Sequence, residues 1–263
     1  MAIHKILPDS MISSGKALQT VGLTYHYHGR PPVLKGLDLE ILEGERVGVI
    51  GPNGAGKTTL FMLCCGVIMP TSGDIQLFGK QVKTGEFRPE LGMIFQNQND
   101  QLFCPSVQDD VSFGPQNLGL DRSEVEERVK EAFKITGIGD LAQRPPHHLS
   151  GGEKRLVAIA GVLAMRPRMV IYDEPTSNLD IRFRRRLINF LKSTTRETML
   201  IASHDLEFIL EVCNRVILLD GGTISADGIP REIMSNRELM EAHGLEKPHS
   251  LIPHKENHHL EHE

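Results

Sequence analysis

No run of apolar residues in this 263-residue chain approaches the ~20 that a membrane-spanning helix needs. The longest runs, 47–51 and 169–172, have the length of strands. Residues 1–15 hold no apolar block of the kind a signal peptide carries, so the chain is expected to stay in the cytosol. An excess of positive charge is missing too: 29 Lys+Arg stand against 34 Asp+Glu, for a net charge of −5. A protein that holds nucleic acid through its overall field is usually basic, so no nucleic-acid partner is expected. The four cysteines, Cys64, Cys65, Cys104 and Cys213, fit no zinc spacing, and a reducing compartment disfavours disulfides. They read as small apolar side chains. There is no internal repeat, no long coiled-coil pattern and no basic arm. What remains is a chain that is 40% hydrophobic and long enough for one large domain with subdomains.

The apolar pattern alternates between strand and helix. The continuous apolar run 46–50 reads as a strand buried on both faces. Further strands are expected at 74–78, 91–95, 169–172 and 198–202, and helices at 57–66, 153–165, 182–194 and 206–212. Such alternation predicts an α/β layered fold with a largely parallel sheet. Strands at 21–27 and 37–41, joined by the turn Gly29-Arg30-Pro31-Pro32, point to an antiparallel β subdomain. The stretch 100–150 changes character and reads as a helical insertion. Within it, 123–136 carries Val125, Val129, Ala132 and Phe133 at helical spacing. Strands 215–219 and 223–226 flank Asp220-Gly221-Gly222 as a hairpin.

The segment Gly51-Pro52-Asn53-Gly54-Ala55-Gly56-Lys57-Thr58 matches G-x-x-x-x-G-K-[ST], follows an apolar strand and opens a helix. Glycines let backbone N–H groups turn inward around phosphate oxygens, and the helix N-terminus adds positive dipole. Lys57 is expected on the β/γ-phosphates and Thr58 on Mg²⁺, with Thr59 next in the binding segment. The strand at 169–172 runs into Asp173 and Glu174. Side chains alternate along a strand, so the two acids face the same way only if the strand is ending. Asp173 suits Mg²⁺, held through water beside Thr58. Glu174 suits polarisation of a water near the γ-phosphate.

A third motif, Leu149-Ser150-Gly151-Gly152-Glu153, resembles the LSGGQ signature of ATP-binding-cassette (ABC) ATPases. Other marks of that family follow in order: Gln96 of the Q-loop, Ser177-Asn178-Leu179-Asp180 of the D-loop, and His204 as switch histidine. Tyr27 stands where the family stacks an aromatic ring on adenine. The resemblance covers about residues 18–247. It implies a RecA-like core with a mostly parallel sheet, an N-terminal antiparallel β subdomain and a helical subdomain over about 100–165. Residues 1–17 become a lead-in and 248–263 a His-rich tail. It further implies ATP hydrolysis with Mg²⁺ held by Thr58, Gln96 and Asp173, and with Glu174, His204 and Gln96 in catalysis. It also implies a head-to-tail dimer with itself or a paralogous ATPase, in which Ser150, Gly151, Gly152 and Glu153 face the partner's ATP and Asp180 lies at the interface. Two positions depart from the pattern. Glu153 replaces the usual Gln. Leu156 stands where many members carry an Arg that fixes the signature helix to its surroundings.

After Gln96, Asn97-Gln98-Asn99-Asp100-Gln101-Leu102-Phe103 is similar to the Q-N-P-D-D-Q-L-F stretch of the energy-coupling-factor branch, the cobalt/nickel and vitamin importers. Val107-Gln108-Asp109-Asp110-Val111-Ser112-Phe113-Gly114-Pro115 resembles that branch's E-D-V-A-F-G-P. The resemblance implies a transmembrane coupling subunit and a substrate-binding membrane protein as partners, with the chain peripheral on the cytoplasmic membrane face. Leu102, Phe103, Val107 and Phe113 are candidates for an exposed groove that receives the coupling subunit. Six of the 12 histidines follow residue 240; the tail that holds most of them reads either as a solvated, disordered segment with incidental histidines or as a ligand set for Ni²⁺, Co²⁺ or Zn²⁺. The expected function is the ATPase of a cobalt or nickel importer. The alternatives are a vitamin importer of the same branch and a soluble nucleotide-gated clamp.

Overall fold

The computed structural model describes residues 15–177, 179–194 and 198–252. Two sheets frame it. The first is antiparallel and contains β1 (Lys16–Tyr25), β2 (Leu34–Leu42), β4 (Ser72–Leu77) and β5 (Lys80–Gln81), in the order β2-β1-β4-β5. The second contains β3 (Arg46–Ile50), β6 (Leu91–Ile94), β7 (Met169–Asp173), β8 (Thr198–Ala202), β9 (Arg215–Asp220) and β10 (Thr223–Gly228). Its order is β10-β9-β3-β8-β7-β6. Only the β9–β10 hairpin is antiparallel there. This is the α/β architecture expected from the sequence.

The central strands are buried on both faces, and their period of two sorts them between two cores. Met169 and Ile171 join Val47, Val49, Leu200 and Ala202 in a core shared with α1 (Lys57–Cys64) and the antiparallel sheet. Val170 and Tyr172 join Ile50, Met199 and Ile201 in a second core. That core is closed by α4 (Gly151–Ala164), α5 (Ile181–Ser193) and α6 (Leu206–Val212). Fully burying one such side chain contributes about 1.5–3 kcal/mol. Asp173 continues the Met169–Ile171 row, so the strand's own period delivers it to the side of α1.

Helices α2 (Val107–Asn117) and α3 (Arg122–Thr136) pack on each other and on α4. Asp121 caps α3 by accepting the Glu124 N–H, and Val125, Val129 and Ala132 are buried as their spacing predicts. Phe133 sits at the rim, partly buried. Sequence reading drew no helix at α2, because Gly114 and Pro115 interrupt its pattern. Ser106 caps it, and Pro115 lies in its last turn. Strand β1 starts at Lys16 rather than Val21. Gln19, Thr20 and Gly22 break its apolar alternation, its register shifts between Thr20 and Leu23, and Val21 itself is 54% exposed.

After β10 the chain forms α7 (Pro230–Ser235) and α8 (Arg237–Ala242). His243 Nδ1 lies 2.7 Å from Asp220 Oδ2, which ties this segment to the hairpin. All four cysteines are free. Burial raises the Cys65 thiol to about 12 and the Cys104 thiol to about 11, which keeps both protonated. Among the described residues no helix is long and apolar enough to cross a membrane. The histidines at 254, 258, 259 and 262 lie outside the described residues.

Candidate active site

Parallel pairing explains why motifs more than a hundred residues apart meet. β3, β8 and β7 are neighbours, and β6 follows β7. Each therefore ends on the same edge of the sheet, where ligands bind in open α/β sheets. β3 delivers the Gly51–Thr58 loop, β7 delivers Asp173 and Glu174, β8 delivers His204, and β6 delivers Gln96. They line one cleft of 540 Å³ together with Tyr27, Asn53, Gly54, Ala55, Gly56, Lys57, Thr58 and Thr59.

The loop's glycines are fixed by geometry. Gly51 has φ +150°, and a Cβ there would stand 2.0 Å from the Leu219 carbonyl oxygen. Gly56 has φ +105° and precedes α1 without any side-chain cap. Among the described residues no side chain caps the first N–H groups of α1, which open on the cleft and suit an anion. Lys57 Nζ donates to the Gly51 and Pro52 carbonyls at 2.7 and 3.0 Å, using two of its three donors. Burial lowers its pKa, opposed by the nearby charges of Glu174 and Asp173. Tyr27 leans over the mouth of the cleft. Its hydroxyl lies 3.2 Å from Thr59 Oγ1, and its ring meets Tyr25 edge-on.

On the opposite wall Thr58 Oγ1 donates to Asp173 Oδ2 at 2.8 Å. β7 ends at Asp173, and Glu174 takes φ +49°. That turn brings both acids into the same cleft. The His204 N–H donates to Glu174 Oε2 at 3.1 Å. Glu174 Oε1 is buried and makes no aligned hydrogen bond, although His204 Nε2 is only 3.3 Å away. Burial raises the pKa of both acids above the usual carboxylate range. The cleft thus combines an anion cradle, a hard-oxygen pair and a desolvated carboxylate beside an imidazole. That set suits phosphoryl transfer to water.

The family model described as "ABC transporter" matches residues 34–177. An energy-coupling factor transporter ATP-binding protein, EcfA of Methanothermobacter thermautotrophicus, is 45% identical over 86% of this chain and 75% of its own length. The chain belongs to the ABC transporter ATPases, in their energy-coupling-factor branch. A Synechocystis protein provisionally named an ABC transporter ATP-binding protein is 56% identical, over 89% of this chain and 82% of its own. Among solved structures, cbiO1 of Clostridium perfringens, described as part of the ABC transporter complex cbiONQ, superposes with a TM-score of 0.77. It is 35% identical and covers 87% of this chain and 94% of that one. The chain is accordingly an ATP hydrolase coupled to transport.

Not every residue singled out for this ABC ATPase lines its cleft. Ser150, Gly151, Gly152 and Glu153 start α4, away from it. Ser150 Oγ accepts the Glu153 N–H, and Glu153 Oε2 accepts both the Ser150 N–H and its hydroxyl at 2.8 Å. This capping box gives Glu153 a structural task and holds its carboxyl below the ordinary range. Asp180 also lies outside the cleft, where it caps α5 by accepting the Phe183 N–H at 2.9 Å. Asn178 falls outside the described residues. Next to His204, Asp205 caps α6 and takes both ends of the Arg184 guanidinium at 2.5 and 2.9 Å.

A second, apolar groove of 240 Å³ runs between Phe87, Leu102, Phe103, Phe113, Val162 and Met165. Phe103 and Phe113 are 66% and 45% exposed and pack edge-on at 4.9 Å. Val107 does not belong there. It is the first residue of α2 and is fully buried in the core. Phe87, on a loop before β6, was not foreseen.

Sequence reasoning also missed Arg30, Val33, Lys35, Gly221 and Gly222, which close the cleft near Tyr27. The Lys35 N–H donates to the Gly222 carbonyl, so the β9–β10 hairpin forms part of the wall. At the signature helix, Leu156 simply packs into the core. The preceding residue, Arg155, reaches across to the carbonyls of Phe95 and Gln96 and so supplies the link that Leu156 lacks. A lone Arg in an apolar helix was the available signal.

Proposed function

We propose that this ABC ATPase powers an energy-coupling-factor importer for cobalt or nickel ions. It works as a head-to-tail dimer, with itself or with a paralogous ATPase, on the cytoplasmic face of the cell membrane. Residues 18–247 are its ATPase domain, about 100–165 its helical subdomain and 248–263 its His-rich tail. The observation that carries the hydrolytic mechanism is the common cleft of Lys57, the Thr58–Asp173 pair and Glu174.

ATP enters with adenine on Tyr27 and its phosphates in the segment Gly51, Pro52, Asn53, Gly54, Ala55, Gly56, Lys57, Thr58 and Thr59, whose N–H groups (Pro52 has none) face the phosphate oxygens. Lys57 neutralises the β/γ-phosphates. The donor set of Thr58, Asp173 and Gln96 is all oxygen, with two of its atoms 2.8 Å apart, and so fits Mg²⁺. Mg²⁺ supplies neutralisation of phosphate charge when bound. Glu174 Oε1, buried and without an aligned partner, accepts a proton of the attacking water, and His204 holds Glu174 and the γ-phosphate in register. Ser150, Gly151, Gly152 and Glu153 cap the ATP of the partner, with Asp180 at the same interface. ATP then becomes part of the dimer contact, and hydrolysis opens it. The Phe103–Phe113 groove takes a helix of the transmembrane coupling subunit, which works with a substrate-binding membrane protein. Support for a metal cargo comes from the branch; metal binding by the His-rich tail would not by itself identify the cargo.

The test is Glu174→Gln at equal expression, in membranes and in cells that hold the whole transporter. ATP binding persists, turnover is nearly lost, and uptake of labelled Ni²⁺ or Co²⁺ collapses. Undiminished turnover removes Glu174 from its role. Lost turnover with unchanged metal uptake keeps the motor and rejects the metal, and vitamins become the cargo to assay.

A further inference from the structure

Arg155 is 1% exposed and carries a charge that the hydrolytic scheme does not use. Among the described residues its guanidinium makes no hydrogen bond to a carboxylate. It donates instead to three main-chain carbonyls: Phe95 at 2.7 Å, Gln96 at 2.9 Å and Glu174 at 3.3 Å. Its Nε finds no acceptor at all. Burying this cation is costly, and the nearby charges of Asp173 and Glu174 offset that cost only in part, while its direct contacts are all to carbonyls.

The three carbonyls lie just where strands have ended. Phe95 and Gln96 follow β6, and Glu174 follows β7 with its backbone reversed. Among the described residues no sheet partner fixes these carbonyls; Gln96 accepts from Gln98 Nε2 at 2.8 Å and Glu174 from the Ser177 N–H at 3.2 Å, both contacts within their own loops. Arg155 meets both from α4, little more than one turn after Ser150. One side chain therefore joins the start of the signature helix, the Gln96 loop and the backbone of Glu174. A planar fork with five donors can bridge carbonyls on two segments, which a Lys ammonium cannot match.

We propose that Arg155 is a positioning residue that locks Gln96 and Glu174 to the signature helix, so that the three move as one body. A shift of α4 when its N-terminus meets an anion then reaches the backbone of Glu174 and, through it, the water-activating carboxylate. The inference rests on the role proposed above for Glu174.

The experiment uses the full chain with Arg155→Met, Arg155→Lys and Glu174→Gln. Binding is read with a fluorescent ATP analogue, hydrolysis as kcat and KM, and local order by amide hydrogen exchange. Arg155→Met should leave ATP affinity within about threefold while kcat falls at least about tenfold, the cost of a misplaced catalytic group. Arg155→Lys should restore part of kcat. Exchange should accelerate together at 95–97 and 174–176 and stay unchanged in α1. A normal kcat in Arg155→Met, or a loss that only follows ATP affinity or the folded fraction, overturns the inference. Should Arg155→Met not fold, Arg155→Lys decides: wild-type kcat and exchange in that variant overturn it equally. Full turnover in Glu174→Gln overturns the role of Glu174 and the inference with it. A dead Glu174→Gln beside a normal Arg155→Met rejects Arg155 alone.

Discussion

Glu153→Gln should tighten the ATP-driven dimer while slightly weakening the fold. Ser150 Oγ and Glu153 Oε2 are 2.8 Å apart. A phosphate oxygen bound to Ser150 Oγ at about 2.7 Å therefore lies no more than about 5.5 Å from that carboxylate. Two unit charges at that separation repel by about 3 kcal/mol at an effective dielectric of about 20, and by about 0.8 kcal/mol in bulk water. Removing the charge is then worth about 4-fold to about 140-fold in affinity per site. Glu153 is only half-buried, so the lower end applies. Gln keeps an acceptor for the Ser150 N–H but gives up a negative charge at a helix N-terminus, which costs about 0.3–1 kcal/mol of stability. The assay is sedimentation or light scattering of Glu174→Gln and Glu153→Gln/Glu174→Gln proteins across an ATP titration. The half-dimerising ATP concentration should drop at least about fourfold, and the gap should narrow at 1 M salt, where the screening length is about 3 Å. An unchanged or weakened dimer, or a gap indifferent to salt, refutes the reasoning. If Glu174→Gln alone does not dimerise with ATP, the head-to-tail arrangement itself fails.

The nucleotide-free protein should also gain stability from Glu174→Gln. Burial raises the Glu174 carboxyl, so the folded chain holds that proton more tightly than the unfolded chain. The favourable contribution is present at low pH and is lost as pH rises through the raised folded pKa. At pH 7–8 the variant should therefore melt higher, by about 2–4 °C for each kcal/mol relieved, and the difference should shrink on acidification. Equal melting points at both pH values reject this. Asp205→Ala removes the α6 cap and the Arg184 pair together. Urea unfolding should show a loss of about 1–3 kcal/mol, and a loss below 0.5 kcal/mol (roughly the scatter of neutral surface changes) counts against the pair.

The features legible in the sequence are those encoded locally. Gly51–Thr58 is one contiguous motif and so is legible, although the contacts that demand Gly51 and Gly56 come from Leu219, Val33 and Leu34. The buried strands announced themselves as apolar runs, and their parallel order followed from the helices between them. What escaped reading is non-local or cancels in pattern. Arg30, Lys35 and Gly222 reach the cleft only because the hairpin folds against β2. Val107 looked like a surface apolar residue because its helix, interrupted by Gly114 and Pro115, was invisible. Arg155 was overshadowed by Leu156, since periodicity places both in an apolar helix and says nothing of which one finds carbonyls.

Two consecutive acids in one cleft conflict with strand alternation, and the backbone resolves the conflict. Had β7 continued in extended form, Glu174 would have followed Val170 and Tyr172 into the core under α4, where an ionised carboxylate has no solvation. The strand stops at Asp173 instead, and Glu174 adopts φ +49°. A left-handed conformation costs a non-glycine residue roughly 1–2 kcal/mol. The Glu174 N–H still reaches the Ala202 carbonyl at 3.0 Å, so the reversal loses no ladder bond. Its carbonyl, turned away from the sheet, is the one that accepts from Arg155. The strain, the second carboxylate and the buried guanidinium are thus one structural decision. Relaxing the backbone at 174 would send the acid back toward the core and leave Arg155 with one carbonyl fewer.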